Sequence, residues 1–407
     1  MTPDPIIAAP ADGLHEYYKQ QTVLPTFAAF PDEAALAEYA RKRAILMDKL
    51  HLPVRVFDGA EVVEFGPDSG ENSLVFARWG ARLTLVEPNP NAWPKIGAYF
   101  DRFGLQDRLR SLERVSVQQY TPPDARFDLV DAEGFIYTVR PEQTWIDLFH
   151  RILKPGGVAI LSYQERSGSF FEFLMKVVQA QHRRLAGVSP VDSARTLFQA
   201  KWDSVPHTRK FESWVMDVLE NPYVRRAYAF DADEFYCRMA DAGLPVYGSW
   251  PGYTDPLRVH WHKQEIPRDQ RIAHDRRHIA RSRLSFVFGS KAYLCTSSDS
   301  ALDGAVKHVQ AAIESFDALV DGFDPTVLDR ALAAVAGLRE VLATGPVLID
   351  AVADRPMPAA ALDSADAVLR LCAAGDPAAL AGFCNTDRAF IGAWGQPAHI
   401  VTLRRDE

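Results

Sequence analysis

A short run of carboxylate and glycine residues follows the first apolar segment that has the character of a strand. Val62 and Val63 lead into Glu64, and the turn 66–70 precedes a predicted helix that begins SLVFARWG. Glycine lets the backbone approach a ligand closely, and a helix N-terminus presents free N–H groups to a polar ligand. A second predicted strand, RLTLVE, ends at Glu87, where a carboxylate accepts hydrogen bonds from ribose hydroxyls. The pattern indicates a site for a nucleotide-like ligand.

The charge of this turn distinguishes two kinds of nucleotide ligand. The turn lacks the GxGxxG spacing of dinucleotide-binding proteins, and Glu64 would repel a pyrophosphate but attract an amino group. A zwitterionic ligand is therefore expected. An NAD(P)-dependent oxidoreductase stays as an alternative, because the position of Glu87 alone does not separate a dinucleotide from other adenosine cofactors.

The segments that must position these residues alternate between short apolar runs and amphipathic stretches, which predicts a parallel sheet covered by helices on both faces. Asp32 is expected to cap a helix over 32–50. The apolar runs LPVYGSW and LSFVFGSKAYLC have no apolar helix between them, which favours an antiparallel edge. We predict an α/β fold: a Rossmann-like doubly wound sheet, mostly parallel with an antiparallel edge strand, plus a lid insertion and a helical C-terminal domain.

The length of 407 residues exceeds what one hydrophobic core usually serves, so several domains are expected. We predict an N-terminal helical lid segment over 1–55, a Rossmann-like domain over 56–297 and an α-helical C-terminal domain over 298–407. The middle domain carries an aromatic-rich lid insertion at 165–230 and a basic insertion at 254–283. The alanine-rich C-terminal domain has three interpretations: it caps the active site, it forms a homo-oligomer, or it stabilises the sheet.

Composition narrows the partners and the location. The formal net charge of −8 argues against broad capture of nucleic acid. The four cysteines lie far apart without a CxxC pair, which favours a reducing compartment over a disulfide framework or a zinc site; they are Cys237, Cys295, Cys372 and Cys384. No apolar run approaches the ~20 residues of a membrane span, and the first residues lack a basic signal-peptide region. A cytoplasmic protein without nucleic-acid or membrane partners is predicted.

Four features occur in a characteristic order: the turn EFGPDSG, Glu87 at the end of the second strand, the fourth strand FDLVDAEGF, and the later turn LKPGG. This ordered set resembles the class I S-adenosylmethionine-dependent methyltransferases, firmly over 56–165 and by topology over 228–297. The resemblance implies S-adenosylmethionine as cofactor and methyl transfer as activity. Asp68 stands where the family has its central glycine, so either the amino-acid tail of the cofactor is held differently or Asp68 contacts it.

The resemblance also implies roles for individual residues. Glu64 and Gly66 would neighbour the methionine moiety, Glu87 would accept from the ribose, and the residues after strand three would flank the adenine. The positions assigned to the cofactor are Glu64, Gly66, Pro67, Asp68, Gly70, Asn72, Glu87, Pro88, Asn89, Val117, Gln118 and Asp131. Those assigned to the methyl acceptor are Tyr18, Phe135, Gln164, Glu165 and Arg166. For Tyr18 the alternative is an amphipathic helix packed on the sheet.

Methyl transfer from a sulfonium is an in-line displacement, so the protein mainly aligns the reactants and excludes water. A hydroxyl acceptor also needs a base to take its proton. The candidates are Glu133, His207, His260 and His262. Each has a structural alternative, which is a surface or core-edge histidine and, for Glu133, ordering of the turn after strand four. His274 and His278 share a helix face, but the arginines around them argue against a metal ion, and none is predicted.

The acceptor is expected to be a small molecule with an oxygen or nitrogen nucleophile, such as a sugar, a nucleotide-linked sugar or a secondary metabolite. Residues 258–283 hold eight Lys or Arg against three Asp or Glu, which favours an anionic acceptor. A solvated charged helix explains the same residues equally well. A further alternative is a non-catalytic methyltransferase-like module that binds a partner.

Overall fold

The computed structural model describes residues 13–20, 30–206, 209–254, 266–294, 299–344, 347–350 and 356–406. Its main feature is a seven-stranded sheet in the order β3-β2-β1-β4-β5-β9-β6, and β7 pairs with β8 in a separate two-stranded sheet. The strands are β1 Glu61–Phe65, β2 Arg82–Val86, β3 Leu109–Glu113, β4 Phe127–Ala132, β5 Leu153–Gln164, β6 Val246–Trp250, β7 Lys291–Leu294, β8 Val347–Asp350 and β9 Ala398–Arg404. The strands β1 to β5 pair in parallel, whereas β6 and β9 pair antiparallel. The sheet is therefore Rossmann-like and mostly parallel with an antiparallel edge, which confirms the predicted fold class.

Helices connect the strands and make up most of the second half of the chain. They are α1 Gly13–Gln20, α2 Glu33–Lys49, α3 Glu71–Arg78, α4 Trp93–Arg102, α5 Gln143–Ile152, α6 Phe170–Ala186, α7 Pro190–Asp203, α8 Phe211–Trp214, α9 Ala232–Asp241, α10 Arg268–Phe288, α11 Asp299–Asp321, α12 Pro325–Thr344, α13 Pro358–Ala374, α14 Pro377–Thr386 and α15 Arg388–Gly392. A π-helical turn, Val215–Leu219, follows α8. The helix predicted over 32–50 is confirmed as α2, since the Asp32 side chain accepts a 2.8 Å hydrogen bond from the backbone N–H of Ala35.

The chain divides into two compact units. Unit 1 comprises Met1–Tyr163, Glu234–Tyr253 and His399–Glu407, and unit 2 comprises Gln164–Asp233 and Thr254–Ala398. The residues of β9 return to the sheet from the far end of the chain, so the predicted boundary at 298 does not coincide with the division between the units.

The last strand of the sheet is not the predicted one. LPVYGSW forms β6 as expected, but the first half of LSFVFGSKAYLC is the end of α10, and β7 pairs with β8 instead of with β6. The partner of β6 is β9. Leu284, Val287 and Phe288 are buried from within a helix, and a short apolar run fits a buried helix as well as it fits a strand.

Each unit has its own apolar core. The core of unit 1 lies between the sheet and its helices and includes Leu36, Val62, Phe76 and Leu83, all fully buried. The core of unit 2 is helical, with Phe170 and Phe173 of α6 packed among the apolar faces of α7 and α11 to α15. Among the described residues, no helix combines the length and the apolar character that crossing a membrane requires.

Candidate active site

The carboxyl ends of β1 and β4 bring two acidic residues side by side. These strands pair in parallel, and Glu64 and Asp131 are direct partners in the register. Both side chains are buried, with 3% and 1% of their surface exposed. Ligands of open α/β sheets bind at the carboxyl ends of the strands, so this pair marks the place where a ligand would sit.

A third carboxylate and one guanidinium complete this carboxylate cluster, which we define as Glu64, Asp131, Glu133 and Arg43. Arg43 reaches the cluster from α2 and holds both oxygens of Glu133, with 3.0 Å between Nη1 and Oε2. The guanidinium also lies over the ring of Phe76, 5.7 Å from its centroid. Three acids therefore share one buried cation.

This excess of acid shifts the titration of the cluster. Burial raises the pKa of Glu64 to about 8, although the Ser73 hydroxyl donates a hydrogen bond to its carboxylate. Burial and the neighbouring Glu133 raise the pKa of Asp131 well above its usual range. Burial alone would also raise the pKa of Glu133, but Arg43 outweighs it and holds that pKa below its usual value. A neutral Asp131 that donates its proton to an ionised Glu133 satisfies both shifts.

The turn between β1 and α3 has a left-handed backbone at three positions, with φ of 62° at Gly66, 51° at Asp68 and 91° at Gly70. At Gly66, a Cβ atom would lie 2.7 Å from Cε1 of Phe135, so a side chain would collide with that ring. Gly70 stands at the N-cap of α3. The backbone of this turn therefore passes close to the Phe135 ring, beside the carboxylate cluster.

Glu87 follows β2, and its carboxylate organises two neighbouring turns. Oε1 accepts from the backbone N–H of Asn89 at 2.7 Å, and Oε2 accepts from that of Asp68 at 3.2 Å. Burial raises the pKa of Glu87 to about 7, and these two backbone donors oppose that shift. A carboxylate has more acceptor capacity than these two bonds use, so it can still receive ligand hydroxyls.

The other residues predicted for the cofactor lie on the same loops. Asn72, in the first turn of α3, accepts a 2.9 Å hydrogen bond from the Tyr39 hydroxyl. Asn89 is buried and accepts from the backbone N–H of Asn91 at 3.0 Å. Pro67 lies inside the glycine turn, Pro88 follows Glu87, and the predicted adenine neighbours Val117 and Gln118 lie in the segment after β3. Val117 is buried.

The residues predicted for the acceptor fall into different regions. Phe135 lies against Gly66, in unit 1. Tyr18 lies on α1, where its ring meets that of Tyr17 edge to face at 5.4 Å, and its contact with an acceptor stays a prediction. Three of the four candidate bases, His207, His260 and His262, lie outside the described residues.

The fourth candidate base, Glu133, is held by the Arg43 guanidinium. Its pKa is lowered, so it is a weaker proton acceptor than an ordinary glutamate. The geometry favours Glu133 as the residue that fixes Arg43 and Asp131 in place.

Gln164, Glu165 and Arg166, at the end of β5, begin unit 2. The Glu165 carboxylate accepts from the backbone N–H of Gly168 at 2.6 Å, and Arg166 pairs with Asp231 at 2.5 Å. Glu165 and Arg166 therefore have partners inside unit 2. The side chain of Gln164 instead donates to Glu172 of α6 at 3.3 Å.

The basic insertion also has internal partners. Arg283 is 4% exposed and bonds Asp231 at 2.6 Å and Asp233 at 2.9 Å. Arg276 lies 3.9 Å from Asp233. Arg283, one of the basic residues that favoured an anionic acceptor, is therefore already paired with buried acids of unit 2. This pairing weakens the argument for an anionic acceptor.

Sequence reasoning missed Arg43, although the sequence contains a signal for it. The buried residues of α2 are Leu36, Ala40, Arg43 and Met47, so the arginine occupies a position of the apolar stripe. A charged residue at such a position needs a buried partner of opposite charge. Glu133 is that partner, and only the fold shows that the two residues meet.

The site fits a cationic adenosyl cofactor. Asp131 Oδ1 is buried and has no hydrogen-bond partner among the described residues, so it is available to a donor. The cluster contains three carboxylic acids and one guanidinium. The turn has no side chain at Gly66, where a Cβ atom would collide with the ring of Phe135. Arg43, the cation of the cluster, is already held by Glu133, which leaves little positive charge for a pyrophosphate.

The fold is a Rossmann-like α/β sheet, and buried acidic residues lie at the carboxyl ends of β1 and β4. A family model described as "Methyltransferase domain" matches residues 36–247, slightly more than half of the chain. The chain therefore belongs to this family, and its cofactor is S-adenosylmethionine.

Solved structures of methyltransferases match the chain at low identity. An S-adenosylmethionine-dependent methyltransferase from Mesorhizobium loti is 20% identical over 32% of this chain and 57% of its own, with a TM-score of 0.28. The N-methyltransferase NodS from Bradyrhizobium japonicum is 22% identical over 31% and 62%, with a TM-score of 0.26.

A protein from Galdieria sulphuraria, provisionally assigned as a sarcosine dimethylglycine methyltransferase, is 9% identical over 92% of this chain and 87% of its own, with a TM-score of 0.36. The chain thus spans little more than half the length of the M. loti protein and most of the G. sulphuraria one. No curated protein sequence matches the chain. The family assignment rests on the family model.

Proposed function

We propose that this methyltransferase transfers the methyl group of S-adenosylmethionine to an oxygen or nitrogen nucleophile of a small-molecule acceptor. The observation that carries the proposal is the carboxylate cluster, in which three buried acids share one arginine at the carboxyl ends of β1 and β4. When bound, S-adenosylmethionine supplies an electrophilic methyl group on a sulfonium cation. A buried surplus of carboxylate complements a ligand that carries both an ammonium and a sulfonium.

The residues of the chain divide this work. Glu64 and Asp131 would hold the cationic end of the cofactor, and Gly66 and Gly70 let the backbone approach it. Glu87 would accept from the ribose hydroxyls while Asn89 and Asp68 keep it oriented. Pro67, Asn72, Pro88, Val117 and Gln118 are proposed to complete the contacts around it. Alignment of the reactants and exclusion of water are then the main contributions of the protein.

The nature of the acceptor is inferred from charge. The net charge of −8 and the internal pairing of Arg283 argue against a polyanionic substrate such as nucleic acid. A sugar, a nucleotide-linked sugar or a secondary metabolite fits best. Cytoplasmic location and a homo-oligomer through the C-terminal helices stay predictions.

Calorimetric titration of the full chain with S-adenosylhomocysteine, NAD and NADP tests the cofactor site. We expect S-adenosylhomocysteine alone to bind. Glu87→Ala should weaken it by about 1.5–3 kcal/mol, the range for hydrogen bonds to a charged group. Glu61→Ala, at the opposite end of β1 and paired with Arg82 on the surface, is the matched control and should leave binding unchanged.

Two results would contradict the proposal in different ways. Binding of NAD or NADP in place of S-adenosylhomocysteine would favour the oxidoreductase alternative. Tight S-adenosylhomocysteine binding without transfer to any member of a broad panel of alcohols and amines would favour the non-catalytic module.

A further inference from the structure

A glutamate at the start of α6 is not used in the way its sequence position suggests. Ser169 and Glu172 stand three residues apart, the spacing of a capping box, in which each side chain bonds the backbone N–H of the other. Here Ser169 makes no side-chain cap, and its hydroxyl donates to the backbone oxygen of Glu165 at 2.8 Å. The Glu172 carboxylate accepts from Nε2 of Gln164 instead. The helix end is therefore organised without Glu172, which leaves its carboxylate available for another role.

Gln164 supplies a second unusual feature at the same place. Its side chain is only 6% exposed, and its Oε1 has no hydrogen-bond partner in the part of the chain that the structure describes. Because Nε2 is directed to Glu172, Oε1 is the atom that remains for a ligand. A buried amide oxygen left without a partner costs on the order of 1–3 kcal/mol, so it is explained most simply by a missing donor.

The charged and polar groups around Glu172 belong to four segments of unit 2. Lys176, one turn later on α6, donates to the backbone oxygen of Asn221 at 3.0 Å. Arg209, which precedes α8, forms an ion pair with Asp217 of the π-helical turn. Gln164 closes the remaining side. Both nearby cations thus have acceptors of their own. Burial raises the pKa of Glu172 to about 7, which Lys176 and Arg209 oppose.

The two groups that remain for a ligand, Gln164 Oε1 and the Glu172 carboxylate, are both acceptors, so the complementary ligand group must donate. We propose that the Gln164–Glu172 pair binds a hydroxyl or amine group of a small-molecule ligand in unit 2. The proposal also predicts that a carboxylate or phosphate is disfavoured at this position.

Three probes of one shape separate a donor from an acceptor-only ligand: benzyl alcohol, benzylamine and anisole. Each is added to the full chain saturated with S-adenosylhomocysteine, and binding is measured by ligand-observed NMR. We expect the alcohol and the amine to bind at least tenfold more tightly than anisole. Glu172→Leu and Gln164→Leu should each abolish this preference. Gln181→Leu, a buried glutamine of the same helix that donates to Cys372, should retain it.

Glu172→Gln keeps the shape and removes the charge, so it serves if the leucine variants do not fold. It should reduce binding of the amine at least tenfold and that of the alcohol by less than threefold. Equal binding of all three probes, or an unchanged preference in Glu172→Gln and Gln164→Leu, would overturn the proposal. Calorimetry with S-adenosylhomocysteine on the same samples shows whether a substitution has disturbed cofactor binding instead of the pair.

Discussion

The two units both bury several charged side chains, and they balance those charges differently. In unit 1, three carboxylic acids share the single guanidinium of Arg43. In unit 2, the carboxylate of Asp231 accepts hydrogen bonds from three side chains: those of Arg166, Arg283 and Gln310. Arg283 also pairs with Asp233. Burial alone would raise the pKa of Asp231, but Arg283 and Arg166 outweigh it and hold that pKa below its usual value.

The difference separates charge that is held for a ligand from charge that holds the fold. A buried network in which every charge has a partner is costly to break, whereas one with surplus acid keeps its protons until a cation arrives. The carboxylate cluster is of the second kind and lies at the carboxyl ends of β1 and β4, where we propose that the cofactor binds. The Asp231 network is of the first kind, and within unit 2 it joins Arg166 and Asp231 to Arg283 of α10 and Gln310 of α11.

Breaking the balanced network should have the largest effect on stability. Arg283→Met removes a buried guanidinium and leaves Asp231 and Asp233 underpaired, so the free energy of unfolding should fall by about 3–5 kcal/mol. Denaturant titration followed by circular dichroism measures this change. Arg276→Met, at an exposed residue 3.9 Å from the same Asp233, should cost less than about 1 kcal/mol. Equal losses in the two variants would show that the network is not held as described.

Removing surplus acid should instead act on the cofactor. Glu64→Gln deletes a carboxylate that would face the cationic ligand, and S-adenosylmethionine should bind about 1.5–3 kcal/mol more weakly, the range for a hydrogen bond to a charged group. The free protein should be as stable as before, because a buried acid with a raised pKa does not stabilise the fold in its charged form. Calorimetry and thermal unfolding on one sample check both halves. A large loss of stability would place Glu64 with the structural network.

The sequence predicted unit 1 much better than unit 2. The glycine turn, Glu64 and Glu87 lie within 24 consecutive residues of one β-α-β segment, so local pattern fixes their mutual position. Arg43 and Glu133 are 90 residues apart, and only the packing of α2 brings them together. The same reason explains the missed strand β9, which reaches the sheet from the end of the chain.

The roles of Glu165 and Arg166 were beyond sequence analysis for another reason. Their position after β5 suggested an open cleft, but their partners lie on segments more than 60 residues away, such as Asp231 and Ala232. Nothing local distinguishes an arginine that awaits a ligand from one that is already paired. Gln164 and Glu172, only eight residues apart, contain a readable signal in the capping-box spacing of Ser169, but whether the box forms depends on tertiary contacts.

The pH dependence of cofactor binding should differ between the cluster and the balanced network. A cationic ligand favours ionised Glu64, whose pKa in the free protein is about 8 and which faces Glu133, Arg43, Glu71 and Ser73. Affinity should therefore rise with pH from about 6 to 8, by at most tenfold per pH unit for one released proton, and level off above. Glu64→Gln should reduce the slope without abolishing it, because burial also raises the pKa of Glu87 to about 7. Asp231 is ionised throughout this range, so Asp231 itself should contribute nothing to the slope. An affinity that falls as pH rises would contradict the assignment of the cluster to a cation.

The smallest expected effect gives the sharpest comparison between the two regions. Burial and Glu133 raise the pKa of Asp131 well above its usual range, and an Asp131 that keeps its proton donates to Glu133, as the amide of an asparagine can. Asp131→Asn should therefore change the free energy of unfolding by less than about 0.5 kcal/mol, as for a substitution that preserves hydrogen bonds. Asp231→Asn is the matched variant, and it should cost at least about 2 kcal/mol because it leaves two guanidinium groups facing a neutral amide. Chemical denaturation at pH 7 measures the free energy of unfolding of both variants. Similar losses in the two would mean that Asp131 is ionised, and the contrast between the carboxylate cluster and the Asp231 network would not hold.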